Sequence, residues 1–536
     1  MTSAAAPLID HAGAAPASLA AQMTWWSPGD AAQFGVGALG LALAASALPQ
    51  VVTAVRSALQ PLPAPTRRWL LLALLLAGLL RLLAPQHLTM LFSGYELTER
   101  SATLLAVHRY GAGSQVLQRL LFTVLPPDHA TLVAAHRLAA WLALWPLLAL
   151  FARWRPPPSA LVLAAFGLAT LPLLVRDAAS ESILTVGQLW LWSGLLLLET
   201  GQPLRAALLL AAAALTRPEL ALVAPLLALL VLQRGDRSRR PFVWWLWLPF
   251  GLLAAPQFVH TAERLASDAA AGTNRLERLV PLGPLAAIGS SVVLWPLAFP
   301  LAWTVLALWG ARTGQAQRTQ RVWRLRWLLA TYVWTILLLV DLPRTSVPRL
   351  EAPIAAIWLL FAAWTWAELG QKAQRWALAG IVLTTLPTLS LFAPTNEDDA
   401  ERFTQAALQR LPAHGACLVT LHESDPPDKG KVQRAFPDYL LRPPHRAVAR
   451  FAMAAWQQAG APRCGAGTFL LIEHRCYAIF HHPVQAPPLL PICAETLARH
   501  PWQPVLEEQA PNRGQNEYGW YPESATLALG LYRLQQ

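Results

Sequence analysis

Charge is scarce in this sequence. Only 13% of its 536 residues are Asp, Glu, Lys or Arg, whereas 55% are apolar. That balance excludes an ordinary soluble protein of this length. Lysine is very scarce, so the basic residues are nearly all arginine. The first thirty residues contain neither, which excludes the positive n-region of a cleavable signal peptide and leaves a flexible N-terminal segment, 1–30. No Gly-x-x-x-x-Gly-Lys-Ser/Thr and no Gly-x-Ser-x-Gly occurs, so neither ATP-driven transport nor a serine hydrolase finds support.

What is present is a series of apolar blocks, each about the length needed to cross roughly 30 Å of hydrocarbon. Candidate spans are 31–55, 69–84, 131–151, 159–175, 183–200, 204–216, 219–233, 242–259, 288–311, 327–341, 353–369 and 376–392. Trp69, Trp154, Trp244 and Trp327 stand at block ends, where an interfacial aromatic belt belongs. The expected fold is an all-α polytopic membrane protein of about 12 spans, covering 31–393.

The net charge of +12 raises the question of nucleic acid. Its distribution answers against it. Arg56, Arg67 and Arg68 fall in one short loop, and Arg153 and Arg155 in another. Further groups run from Arg234 to Arg240 and from Arg312 to Arg326, and the last is Lys372 with Arg375. Such clusters orient a chain in the bilayer, cytoplasmic side inward. The stretch "LRAALLLAAAALTRPELALVAPLLALLVLQR" tests that orientation. One helix of about 29 residues would run about 43 Å and put the cluster from Arg234 outside. Two short helices, broken at Thr216-Arg217-Pro218, keep it inside, and Pro218 suits the first turn of a new helix. The expectation is two, with Arg217 held inside protein below the outer surface.

The long outer segments are then 85–130, 260–287, 342–352 and the tail from 394. The tail is polar and Pro-rich, and carries all four cysteines, Cys417, Cys464, Cys476 and Cys493. The runs "ACLVTL", "TFLLIE" and "CYAIF" read as strands and "DDAERFTQAALQRL" as a helix. Residues 394–536 are therefore expected to form a small exported α/β or α+β domain. Four cysteines confined to it are disulfide candidates. Free thiols or a zinc site are the alternatives, although no Cys-x-x-Cys occurs.

Candidate chemistry gathers on the outer side. Glu96 and Glu99 open the first outer loop, three apart and so on one face of a helix. A carboxylate shielded at the membrane rim can act as a general base; a solvated loop helix is the plain alternative. Arg217 lies within a span, and an intramembrane arginine is costly enough to mark a site. It grips phosphate bidentately, or it pairs structurally with Glu219. Arg344 and Arg349 occupy a short outer loop where the positive-inside rule disfavours them; lipid headgroups are their other partner. "RDAASES" adds Arg176, Asp177 and Glu181. His87, His108, His129 and His136 flank the first loop at irregular spacing, unlike a metal site. The sequence predicts no particular cofactor, a divalent metal is left open, and no metal ligand is assigned.

Together these segments resemble the bacterial GT-C superfamily of membrane glycosyltransferases, which use polyprenyl-phosphate sugars as the dolichyl-phosphate-mannose mannosyltransferases use theirs. The resemblance rests on "GYELTER" followed by "HRYGAGSQVLQRLLFTVLPPDHATLVAAHRLAAWLAL", on "LTRPE" at Leu215 to Glu219, and on "PRLEAP" around Arg349 to Pro353. It covers about residues 69–392. Leu350 stands where the family has an aromatic residue, and the span at 31–55 precedes the usual first one. The resemblance implies an inverting hexosyl- or pentosyltransferase in the bacterial inner membrane, with a periplasmic C-terminal domain. It implies a lipid-linked sugar donor and an unspecified acceptor. Glu96 or Glu99 would be the base, and Arg217, Arg349, Arg344 and Arg176 would bind the donor phosphate. A catalytically silent scaffold or lipid-handling protein on the same fold is the alternative, and a secondary transporter a more distant one.

The orientation has a direct check. A reporter fused after Gln536 is expected to be active only when exported; activity confined to the cytoplasm would overturn the topology and the paired short helices of 204–233 together.

Overall fold

A computed structural model describes residues 28–86, 111–126, 129–180, 184–217, 220–232, 247–256, 259, 299–313, 352–385, 396–421, 447–477, 488–511 and 526–535. The chain is mostly helical and ends in a small sheet. Fourteen helices precede the tail among the described residues: α1 Pro28–Ser46, α2 Leu48–Leu59, α3 Ala64–Leu83, α4 Ala112–Phe122, α5 His129–Arg153, α6 Pro158–Thr170, α7 Pro172–Ala178, α8 Leu184–Glu199, α9 Pro203–Thr216, α10 Leu220–Leu232, α11 Trp247–Pro256, α12 Leu301–Thr313, α13 Ala352–Ala367 and α14 Gln371–Thr385. Among the described residues two stretches are long and apolar enough to cross a membrane, Ala31–Leu59 with 29 residues and Ala130–Arg153 with 24. A third is α6 with α7, if a pair bent by 49° counts as one span. Helices α8, α9, α11, α12 and α13 are apolar but shorter.

Burial explains their arrangement. Helix α9 is buried from Ala206 to Thr216 except at Leu208, and α8 and α13 along most of their lengths. Helices apolar all round belong in the middle of an assembly. By contrast α3 exposes Leu71, Leu75, Leu79, Leu82 and Leu83 on one side, and α14 buries only Ile381 among its fifteen residues. Those outer faces suit lipid. At the end bearing Arg153, aromatic rings close the packing: Trp154 stacks on Phe361 at 6.5 Å and Phe151 meets Trp364 edge-on at 5.9 Å.

Helix α1 packs into the middle by way of small residues. A Cβ at Gly37 would lie 3.0 Å from Ala112, and one at Gly40 would collide with the Leu215 side chain. The run Gly35-Val36-Gly37-Ala38-Leu39-Gly40 has the spacing of a dinucleotide-binding loop, but it lies inside α1 rather than at a turn into a helix, and Gly37 and Gly40 serve close helix packing instead.

In the tail, α15 Asn396–Gln409 precedes a five-stranded sheet of order β2-β1-β3-β5-β4. Its strands are β1 His414–Thr420, β2 Ala447–Ala452, β3 Gly467–Ile472, β4 Trp502–Pro511 and β5 Thr526–Leu534, with α16 Met453–Gln458 and α17 Pro491–Arg499 between them. Strands β2, β1 and β3 run parallel, and β5 is antiparallel to both β3 and β4. Cys417 on β1 pairs with Cys464, Cα atoms 5.8 Å apart, and Cys476 pairs with Cys493 on α17 at 5.7 Å. Cys476 was read within a strand; it lies in a short 3₁₀ turn, His474–Cys476, which aims its side chain at α17. Arg402 on α15 forks onto the Glu508 carboxylate of β4.

Immediately after β3 stand Glu473, His474 and Arg475, all buried. The Glu473 carboxylate accepts the Arg475 N–H at 2.9 Å, yet burial pushes its pKa up to about 7, with the Arg475 charge opposing the rise. The folded chain therefore holds a proton that the unfolded chain releases above about pH 4.5. Stability from this group is complete below that pH and is lost as pH rises through 7. Thermal unfolding of the full chain in detergent should show Glu473→Gln gaining on the wild type at pH 8 relative to pH 5, by an amount on the order of 3 kcal/mol. An identical pH response in the two proteins would refute this. Alkylation of oxidised, denatured protein should label none of the four cysteines, and all four after reduction.

Candidate active site

Among the described residues seven helix ends come together at one head of the bundle. They are the C-terminal ends of α3, α7 and α9 and the N-terminal ends of α4, α5, α8 and α10. His136, two turns into α5, donates from Nδ1 to the Ser180 carbonyl beyond α7 at 3.0 Å. The Ser180 hydroxyl donates to the Asp177 carbonyl at 2.8 Å. Arg137 donates to the Ala84 carbonyl at the end of α3, 2.7 Å away.

The break between α9 and α10 is the centre of this head. Arg217 is the C-cap of α9 and has left the helix for an extended conformation, φ −144° and ψ 116°. Its N–H still bonds the Ala213 carbonyl at 2.9 Å, while its own carbonyl accepts the Leu220 N–H at 3.0 Å. Pro218 has no N–H to continue the ladder, so the backbone turns here. The break is packed on two sides. Gly187 in the first turn of α8 leaves no room for a Cβ against Leu220, and Arg217 Cβ stands 3.8 Å from that position. On the other side, Gly111 adopts φ 125°, a conformation open in practice only to glycine. A Cβ there would strike the Leu215 carbonyl oxygen and approach that of Thr216 to 2.8 Å. The N-terminus of α4 thus abuts the C-terminus of α9, positive dipole end to negative.

Charge is concentrated in this head and buried there. Arg176 is 0% exposed, Asp177 1%, Arg217 2% and Arg81 1%. Asp177 and Arg81 line one cavity of about 20 Å³ with Thr185, Gln188 and Trp192. That is room for one ordered water. Ser114, Gln115, Gln118, His136, Ser180 and Thr216 complete a belt of buried polar side chains. A buried guanidinium offers planar, paired donors that match a phosphate, and a buried carboxylate can serve as a proton acceptor.

Of the residues picked out from sequence, Arg176 and Arg217 are both placed in this head. Glu96, Glu99, Arg344 and Arg349 lie outside the described residues, as do Glu181, Glu219 and Glu351. The four cysteines form the two bonds of the sheet domain. Among the described residues no group of three His, Cys, Asp or Glu side chains could hold a metal. Sequence reasoning passed over Arg81. The signal was available, because Arg81 is the only charge in the apolar run from 69 to 86, and the rule applied to Arg217 applies to it equally.

The chain's likenesses lie among solved structures. It is similar to ArnT from Cupriavidus metallidurans bound to undecaprenyl phosphate, with a TM-score of 0.42 and 14% identity over 63% of this chain and 68% of that one. The apo state of that ArnT gives a TM-score of 0.39 at the same identity and coverage. The oligosaccharyltransferase of Archaeoglobus fulgidus in its apo form gives 0.43 at 14% identity, over 70% of this chain and 60% of that one. No protein-family model and no curated protein matches the sequence.

The packing at Gly111 predicts a sharp asymmetry between glycines. Gly111→Val should destabilise the detergent-solubilised protein by at least about 2 kcal/mol, from the lost left-handed conformation and from overpacking. Gly370→Ala, where a Cβ meets nothing within 4 Å, should melt like the wild type. Equal melting temperatures for both variants would contradict the close approach of α4 to α9.

Proposed function

We propose that this chain is a multi-pass membrane glycosyltransferase of the GT-C type. It transfers a sugar from a polyprenyl-phosphate-linked donor to an acceptor on the exported face of a bacterial inner membrane. The observation that supports this most is the burial of Arg176, Asp177 and Arg217 together at one head of an apolar bundle. Burying such charges inside a membrane protein is costly and usually marks a functional site. Two arginines and an acid suit a phosphate leaving group and a proton to be removed. The full topology in this reading has about twelve spans, with the sheet domain from 394 exported.

In this proposal Arg217 and Arg176, joined by Arg349 and Arg344 from the late outer loop, hold the donor phosphate as it departs. Glu96, or Glu99 one helical turn on, takes the proton from the acceptor hydroxyl, and the sugar carbon inverts. Asp177 is the reserve base already in place at the head. His136 fixes the turn after α7 through Ser180, and so fixes the backbone that carries Arg176 and Asp177.

Two substitutions separate the roles. Glu96→Gln should slow transfer about 10²–10⁴-fold, the usual loss for a general base, with donor binding intact. Arg217→Ala should weaken donor binding, because a charge-assisted phosphate contact is gone. The measurement is sugar transfer from a polyprenyl-phosphate donor by purified variants. Wild-type-like transfer by Glu96→Gln would move the base to Glu99 or Asp177. Absence of transfer by the wild type across donor sugars would favour the silent scaffold.

A further inference from the structure

Arg81 takes no part in the transfer chemistry proposed above, yet its guanidinium is buried in the bundle with no carboxylate partner among the described residues. Its three hydrogen bonds all go to backbone carbonyls. Nη1 donates to Ala77 at 3.0 Å on its own helix and to Ala169 at 3.5 Å, and Nη2 donates to Leu168 at 3.3 Å. The last two carbonyls belong to the final turn of α6.

That turn is where the span breaks. In a continuous helix the Leu168 carbonyl would accept the N–H of residue 172 and the Ala169 carbonyl that of residue 173. Residue 172 is proline and has no N–H to give. The last backbone bond before the break runs from Leu171 N–H to the Gly167 carbonyl at 2.8 Å. Leu171 is extended, φ −61° and ψ 113°, and the next bond, from Val175 to Leu171, already belongs to α7. No backbone N–H among the described residues reaches Leu168 or Ala169. Carbonyls inside an apolar bundle need a donor, and the Arg81 side chain supplies one to each.

We infer that Arg81 is a positioning residue: its guanidinium supplies the hydrogen bonds that Pro172 withholds, and so holds the 49° bend by which α7 carries Arg176 and Asp177 to the head of the bundle. The positioning role rests on the glycosyltransferase reading; the capping role does not. The same side chain lines the small cavity with Asp177, so the cap and the acid share one pocket. The Nη donors of Arg81 are directed at the backbone, while its Nε makes no hydrogen bond among the described residues.

The test uses the full chain in detergent with two readouts, hydrogen–deuterium exchange over 168–178 and sugar transfer. Arg81→Leu should raise exchange in α7 about tenfold or more and slow transfer about 10²-fold, the cost of a misplaced group. Arg81→Lys keeps a cation and three donors and should recover part of both. The informative variant combines Arg81→Leu with Pro172→Ala, which returns an N–H to the Leu168 carbonyl. Protection should return to the wild-type level while transfer stays about 10²-fold down, because a straightened helix no longer carries Arg176 and Asp177 to the same place. Full transfer by that double variant would overturn positioning, and unchanged exchange in Arg81→Leu would overturn the cap. Should Arg81→Leu fail to fold, Pro172→Ala alone decides the question: protected but slow supports the inference, protected and fast overturns it. If the wild type transfers no sugar, the functional reading fails, and the exchange comparison still decides whether Arg81 holds the bend.

Discussion

Backbone groups inside hydrocarbon must find partners inside the protein, and much of this architecture follows from that one demand. An unbroken helix meets it automatically. Among the described residues the apolar bundle has helix breaks at Leu171-Pro172 and after Arg217, and each break strands carbonyls. At the first, Arg81 provides the donors from α3. At the second, Leu220 folds back to Arg217, and the N-terminus of α4 is pressed against the freed end of α9 by a glycine that can be no other residue. The polar belt at the head is thus partly a requirement of broken helices and partly an opportunity, since backbone that has left the helix can face a ligand.

The sheet domain meets a related demand by other means. Its backbone groups pair along five strands, and two disulfides tie its loops, one to β1 and one to α17. Proline at 504 and a bulge beside it interrupt the outer edge of β4, and the Arg402 to Glu508 pair fastens α15 to the same strand. An edge interrupted in this way is a poor template for further strands.

Hydropathy made much of the helical layout legible. The run read as 183–200 is Leu184–Glu199, that read as 131–151 is His129–Arg153, and the pair read as 204–216 and 219–233 is Pro203–Thr216 and Leu220–Leu232. The last was legible because Arg and Pro adjoin there and loop charge demanded a hairpin. The run read as 159–175 concealed its break at Leu171, because Pro172 sits among residues as apolar as those before it and hydropathy carries no direction. Arg81 was hidden for a related reason: one charge barely lowers the average of an apolar run. In the tail, β1 and β3 stood out as apolar stretches bounded by polar ones. Strand β4 did not, since "WQPVLEEQAP" holds two prolines and two glutamates and owes its extended form to its neighbour β5. Glu96 and Glu99 lie outside the described residues, so their spacing and the family resemblance alone single them out.

The packing of Gly40 against Leu215 also sets an order of events during synthesis. The two residues are 175 positions apart, and a ribosome adding roughly 5–20 residues per second needs about 9–35 s to make that interval. Helix α1 therefore enters the bilayer long before its seat exists. Ala112 of α4 fills the notch at Gly37 first, but until α9 arrives the notch at Gly40 faces lipid or whatever insertion machinery shields it. The contact closes only once α9 has been made, so this side of α1 stays uncovered while α2 to α8 are synthesised.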